Sequence, residues 1–245
     1  MINSIIRQYF FKLKIFFKNS KDIRFKELCD NGYLIFHKLV PENFCNKILA
    51  NNLTKEFIDE DYVSKYKLIP KNELDKIIKI LNDNGILDII KAYLGKNVVC
   101  YDNSILFLGK QTAEKESWLP HHDSKENRLK VYIFLVSTDN SNQPLDYQVG
   151  SHKTVKTWKN YLDTRFQEYP DKSKVKRVYN NKGDILIFDT HGIHSNKKLS
   201  KNFRASLVLT FESTGLLKRI NHHSGSGKKE IRRLKKMFLD NFIHI

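Results

Sequence analysis

The sequence predicts a mainly β protein with flanking α-helices, in which an antiparallel sandwich or barrel follows a mostly helical first part. Two observations carry that prediction. Up to Gly95 the apolar residues recur three and four apart, as on one face of a helix. After Gly95 they gather into short runs, some of them alternating, separated by Asn, Gly, Asp and Ser, which is the punctuation of an antiparallel sheet. Length adds a bound, because 245 residues suffice for one well-buried core with decorations and fall short of two full domains.

Residues 1–24 open the chain with Ile2, Ile5, Ile6, Tyr9, Phe10, Leu13, Phe16 and Phe17 at helical spacing, and with Arg7, Lys12, Lys14 and Lys18 among them. Such a basic amphipathic helix either lies in a membrane interface through residues 1–19 or docks on the domain's own core. A short helix then runs into a turn at Gly32, followed by a strand from Tyr33 to about Leu39. Pro41 opens another helix, carrying Phe44, Ile48 and Leu49. Helical spacing continues through Leu74, Ile77, Ile78 and Leu81, and through Ile86, Ile89, Ile90 and Leu94 before Gly95. Strands are expected over 98–108, 129–136, 145–149, 175–179, 184–189 and 203–211, with an inserted helix or loop between His152 and Glu168. Residues 25–215 form the expected domain. Residues 216–245 read as a tail in which a joint at Gly225-Ser-Gly leads to a basic helix bearing Lys228, Lys229, Arg232, Arg233, Lys235 and Lys236.

The 43 Lys and Arg outnumber the 27 Asp and Glu, and the net charge of +16 favours an anionic substrate or surface, or serves general solubility. Cys29, Cys45 and Cys100 are odd in number and widely spaced, so neither a disulfide framework nor a thiolate metal site is indicated. With no apolar run long enough to cross a bilayer, the expected location is the cytoplasm, with peripheral contact to the inner face of a membrane through the amphipathic start.

The chemistry starts at Trp118-Leu-Pro-His-His-Asp, where His121 and Asp123 stand one residue apart. On an extended strand, residues i and i+2 project to the same side, so an imidazole and a carboxylate can share one metal ion. Downstream, Gly183-Asp-Ile-Leu-Ile-Phe-Asp-Thr-His-Gly-Ile-His reads as a buried strand delivering His191, His194 or both at its end. Two His and one carboxylate on one side of an ion make the facial triad of non-haem iron(II) oxygenases, which leaves positions open for co-substrate and oxygen. On the next strand, Arg204 and Ser206 share a face, and a guanidinium beside a hydroxyl is shaped to grip a carboxylate. The other reading of Arg204 is a buried salt bridge.

The order of these motifs resembles the phytanoyl-CoA dioxygenase family. The likeness runs from Asn31-Gly-Tyr-Leu-Ile-Phe through His121-x-Asp123, Leu129-Lys-Val-Tyr-Ile-Phe-Leu and Val149-Gly-Ser-His-Lys to the Gly183 motif, His194 and Arg204. It implies a double-stranded β-helix, or jelly roll, with the N-terminal helices packed outside. It also implies iron(II) on His121, Asp123 and His194, because the distal ligand precedes the co-substrate arginine by about ten residues, and 2-oxoglutarate held by Arg204 and Ser206. His191 falls where relatives often carry an arginine and is expected to face the substrate pocket. Lys130 and Tyr132 share a strand face, but the sequence leaves open whether that face points inward. Two departures, Gln148 before Val149-Gly-Ser-His and Ser141-Asn-Gln-Pro upstream, border the pocket; Gly150, Ser151 and His152 read as a turn that shapes it.

The implied activity is that of a 2-oxoglutarate-dependent dioxygenase consuming O2, releasing succinate and carbon dioxide, and hydroxylating a small-molecule, glycan-linked or lipid-linked substrate. Retention of Asp123 points away from halogenation, since related halogenases have a small residue there. Two other readings stand beside it: a basic jelly-roll module that binds polyanions, with nucleic acid the less favoured partner, and a cupin-like metalloenzyme that needs no 2-oxoglutarate.

Overall fold

The structure is a computed structural model and describes residue 13 and residues 21–53, 65–95, 98–109, 119–123, 127–154, 165–196, 202–213 and 243–244. Most of the amphipathic segment 1–24, most of the basic tail 216–245 and the centre of the 152–168 insertion lie outside the described residues. No helix among the described residues is long and apolar enough to cross a membrane.

Helix α1 (Ile23–Asn31) begins where the Asp22 side chain accepts the Arg24 backbone N–H. It ends at Gly32, whose left-handed φ of 85° turns its N–H back to the Leu28 carbonyl. Strand β1 (Tyr33–Phe36) follows at once and is shorter than expected. Lys38 adopts φ 53°, and the buried Asp184 carboxylate accepts both the Lys38 N–H and the His37 ring N–H, so the chain turns away. Helices α2 (Glu42–Asn52) and α3 (Lys71–Asp83) each start after a proline, and α4 (Ile86–Leu94) ends at Gly95. Ile48, Ile77, Leu81, Ile86, Ile90 and Tyr93 turn inward from these helices.

The strands are β2 (Lys65–Leu68), β3 (Val98–Leu108), β4 (Arg128–Phe134), β5 (Leu145–Gln148), β6 (Val175–Val178), β7 (Ile185–Asp189), β8 (His194–Asn196), β9 (Arg204–Ser213) and β10 (Ile243–His244). The large sheet runs β1-β7-β4-β9-β3, entirely antiparallel, with β2 and β10 pairing with β3 on the edge that β9 leaves free. The small sheet runs β6-β5-β8. One side of the large sheet, with Leu129, Val131, Ile133, Leu207 and Leu209, packs on the helices in one core. The other side, with Leu106, Tyr132, Phe134, Leu186, Phe188 and Val208, meets Leu145 and Tyr147 of the small sheet in a second core. Two antiparallel sheets face to face, with helices outside the larger one, make the jelly roll.

Antiparallel register fixes what faces the interior. Lys130, Tyr132 and Phe134 of β4 align with Thr210, Val208 and Ser206 of β9, and these in turn with Asp102, Ser104 and Leu106 of β3. The interior is thus a stack of rows, and the row of Asp102, Thr210 and Lys130 lies at one end while Arg204 lies at the other.

Candidate metal and co-substrate site

Backbone pairing assembles the expected metal ligands. His121 exchanges two hydrogen bonds with His194, its N–H to the His194 carbonyl at 2.9 Å and the His194 N–H to its own carbonyl at 2.8 Å, so the His121 segment extends the small sheet beside β8. The Asp123 N–H binds the Thr190 carbonyl at 2.9 Å, which ties the carboxylate to the turn between β7 and β8. His121, Asp123 and His194 then each offer one ligand atom, all within 4.8 Å of one another.

Each group is prepared for an ion. The Nδ1 of His121 lies 2.8 Å from the Leu119 carbonyl and that of His194 lies 2.8 Å from the Gly192 carbonyl. A carbonyl only accepts, so both Nδ1 atoms carry the proton and both Nε2 atoms keep a free lone pair. Asp123 divides its oxygens: Oδ1 is 3.3 Å from His121 Nε2 and 3.7 Å from His194 Nε2, while Oδ2 accepts from the Lys130 ammonium. Burial opposes the charge on Asp123, but the Lys130 ammonium holds its carboxyl well below the usual range. Burial pulls His194 down to about 3, so its ring is neutral, as a metal ligand must be.

Arg204 is fully buried at the start of β9. One nitrogen, Nη1, donates to the Gln143 carbonyl and, at 3.2 Å, to Asn196 Oδ1. The guanidinium carbon sits 5.6 Å from the Tyr132 ring centre and 5.9 Å from that of Phe134. Among the described residues its Nε and Nη2 have no partner, nor has the buried Ser206 Oγ. Unmet donors of this kind are costly inside a protein unless a ligand satisfies them, and a carboxylate satisfies a guanidinium and a hydroxyl together. Asn196 stands two residues beyond His194 on β8, so His194 and the contact to Arg204 are roughly 7 Å apart along one strand. A five-carbon dicarboxylate fits that separation, with one end at the metal ligands and the other at Arg204.

Of the residues left open, both Lys130 and Tyr132 face inward. Lys130 pairs with Asp123, and Tyr132 lies against Arg204. His191 is buried outside the ligand group, its backbone N–H bound to Asp189 Oδ1 at 2.8 Å. Ser151 and His152 brace the site from behind. Ser151 Oγ donates to the Gln148 carbonyl and accepts the Ile193 N–H, and His152 Nε2 donates to the Cys29 carbonyl. Asn196 has no motif to mark it although it shares a strand face with His194; Gln143 stands in the sequence only within Ser141-Asn-Gln-Pro, because it acts through its main chain.

The sequence matches no protein-family model and no curated protein. Solved structures do match, and they show the same jelly-roll fold. The nogalamycin-biosynthesis epimerase SnoN, solved with Fe3+, α-ketoglutarate and nogalamycin RO, is 15% identical over 78% of this chain and 82% of its own, with a TM-score of 0.56. HygX from Streptomyces hygroscopicus, with nickel and 2-oxoglutarate bound, is 12% identical over 80% and 88%, with a TM-score of 0.58. EctD from S. alaskensis, with 2-oxoglutarate and 5-hydroxyectoine, is 15% identical over 80% and 78%, with a TM-score of 0.55. At these identities the likeness is one of fold, and the chemistry rests on this chain's own residues.

Proposed function

We propose that this protein is an iron(II)- and 2-oxoglutarate-dependent dioxygenase of the phytanoyl-CoA dioxygenase type. In this reading His121, Asp123 and His194 hold the metal, and Arg204 with Ser206 holds the far carboxylate of 2-oxoglutarate. The observation that carries the reading is the combination of a two-His, one-carboxylate group with a buried guanidinium edge and hydroxyl that have no partner among the described residues. A polyanion-binding jelly roll needs neither feature, and a cupin-like metalloenzyme has no use for Arg204 in this state. SnoN, HygX and EctD support it as proteins of the same fold solved with a metal, 2-oxoglutarate or both.

Bound iron(II) and 2-oxoglutarate supply the oxidising power: O2, 2-oxoglutarate and a substrate C–H give succinate, carbon dioxide and a substrate C–OH. The chain's part is positional. The Leu119 and Gly192 carbonyls fix both imidazoles with Nε2 toward the ion. Lys130 fixes Asp123 by one oxygen and leaves the other for the metal. Asn196, the Gln143 carbonyl and the Tyr132 ring aim Arg204. Because Asp123 occupies its ligand position, the outcome proposed is hydroxylation of a small-molecule substrate, free or carried on a glycan or lipid.

The test is an anaerobic titration of metal-free protein with iron(II) and 2-oxoglutarate, reading the visible charge-transfer band of the chelate. The wild type should develop the band, His121→Ala should lose it, and Arg204→Ala should need roughly 10- to 100-fold more 2-oxoglutarate, the worth of one or two charge-assisted hydrogen bonds. Metal binding with no band at any 2-oxoglutarate concentration would shift the assignment to a cupin-like enzyme.

A further inference from the structure

The interior row at the metal end contains more charge than the reaction uses. Arg128 and Glu212 face each other across β4 and β9 and form one pair, with Nη2 2.5 Å and Nε 2.6 Å from Oε1. Lys130 is taken by Asp123 Oδ2. That leaves the Asp102 carboxylate on β3, which accepts one long hydrogen bond, from Thr210 Oγ1 at 3.4 Å, and forms no ion pair among the described residues. It aligns through Thr210 with Lys130, so two strand spacings, roughly 10 Å, separate the β3 and β4 backbones at the level of the metal ligand's own partner. Ser104, the next interior residue of β3, adds a buried hydroxyl to the same wall.

A half-buried carboxylate with only weak hydrogen bonds and no ion pair among the described residues keeps an oxygen open to a cationic group. Burial raises the Asp102 carboxyl, and the Lys130 charge, with the Thr210 and Ser104 hydroxyls and Arg128, only partly offsets that. The divalent metal and the dianionic co-substrate balance each other, so loading the site does not supply the missing cation.

We propose that Asp102, with Thr210 beside it, is a specificity-determining residue that receives a primary ammonium group of a polar small-molecule substrate. This rests on the oxygenase reading and names its substrate class: a small amine presenting a C–H bond to the metal while its nitrogen is held on the β3 wall. The Asp102 charge, opposite in sign to the net charge of the chain, selects the substrate.

The test uses the full chain loaded with zinc(II) and 2-oxoglutarate, with ligand-observed NMR on a panel of amino sugars, amino alcohols and amino acids. Each amino sugar and amino alcohol has its N-acetyl counterpart as a neutral control, each amino acid its N-acetyl methyl ester, and glucose 6-phosphate serves as an anionic control. At least one ammonium compound should bind the wild type tenfold or more tightly than its acetylated form. Asp102→Asn should abolish that preference, and so should Asp102→Ser, while zinc and 2-oxoglutarate binding stay unchanged. An ammonium preference that survives both substitutions, preferential binding of the neutral or anionic controls, or no ammonium preference in a loaded wild type would each overturn the inference alone. Failure to form the zinc–2-oxoglutarate complex would instead overturn the oxygenase reading beneath it.

Discussion

Tyr147 shows how single residues set the ligand geometry. Its ring lies near-parallel to that of His194, at 17°, and its hydroxyl donates to the Asp189 carbonyl at 3.0 Å. That hydroxyl passes so close to Gly192 that a β-carbon there would stand 1.7 Å from it and 2.1 Å from Cζ. Gly192→Ala must therefore displace either the buried tyrosine or the turn leading to His194. It is expected to lower stability by about 1–3 kcal/mol and to weaken zinc(II) binding more than the stability loss alone explains. Urea unfolding beside a competitive zinc titration measures both; wild-type zinc affinity in the variant would contradict the account. Cys45 and Cys100 add a pH dependence. Burial pushes the Cys45 thiol up to about 11 and the Cys100 thiol to about 12. Above pH 9 the unfolded chain releases these protons while the folded chain retains them, so stability is complete below that pH and is lost as pH rises. The expected loss by pH 10 is on the order of 1 kcal/mol for each thiol. Urea midpoints at pH 8 and pH 10 check it, and Cys45→Ala with Cys100→Ala should flatten the difference.

At the scale of elements, legibility followed exposure and local chemistry. The pairing of His121 with Asp123 could be read because i and i+2 on an extended segment meet the same ion wherever that segment lies. The shared interior face of Arg204 and Ser206 was legible for the same reason. Choosing His194 over His191 needed the family resemblance, because the Thr190–Ile193 turn carries the chain from one sheet to the other and no periodicity spans such a crossing. Lys130 could not be assigned because β4 is buried on both faces, and its apolar residues then lose the alternation that would mark an inside. Strand β2 was missed because Lys-Tyr-Lys-Leu is an exposed edge, with Tyr66 65% accessible, and has no buried face to impose a pattern. Division of labour between elements gives another prediction. Ile77 and Leu81 of α3 pack on the outer face of the large sheet, away from the ligands. Ile77→Ala should cost about 2–5 kcal/mol in unfolding free energy yet leave the zinc affinity of the folded protein unchanged. A parallel fall in affinity would mean that the helices shape the site.

For the whole molecule, the jelly roll is a frame that brings an edge segment, a β8 histidine and a β9 arginine into one interior, and the helices bury its back. The basic amphipathic start is expected to carry any attraction to anionic surfaces, so deleting residues 1–19 should lower co-sedimentation with anionic liposomes; unchanged binding would remove a membrane role. The central claim is that metal and 2-oxoglutarate share one interior site. A crystal structure of the full chain grown anaerobically with manganese(II) and 2-oxoglutarate tests it most directly. The account predicts manganese on His121 Nε2, Asp123 Oδ1 and His194 Nε2, and a carboxylate of 2-oxoglutarate against Arg204 Nε and Nη2 and Ser206 Oγ. Manganese on other ligands, or Arg204 still without a carboxylate at saturating 2-oxoglutarate, would contradict it.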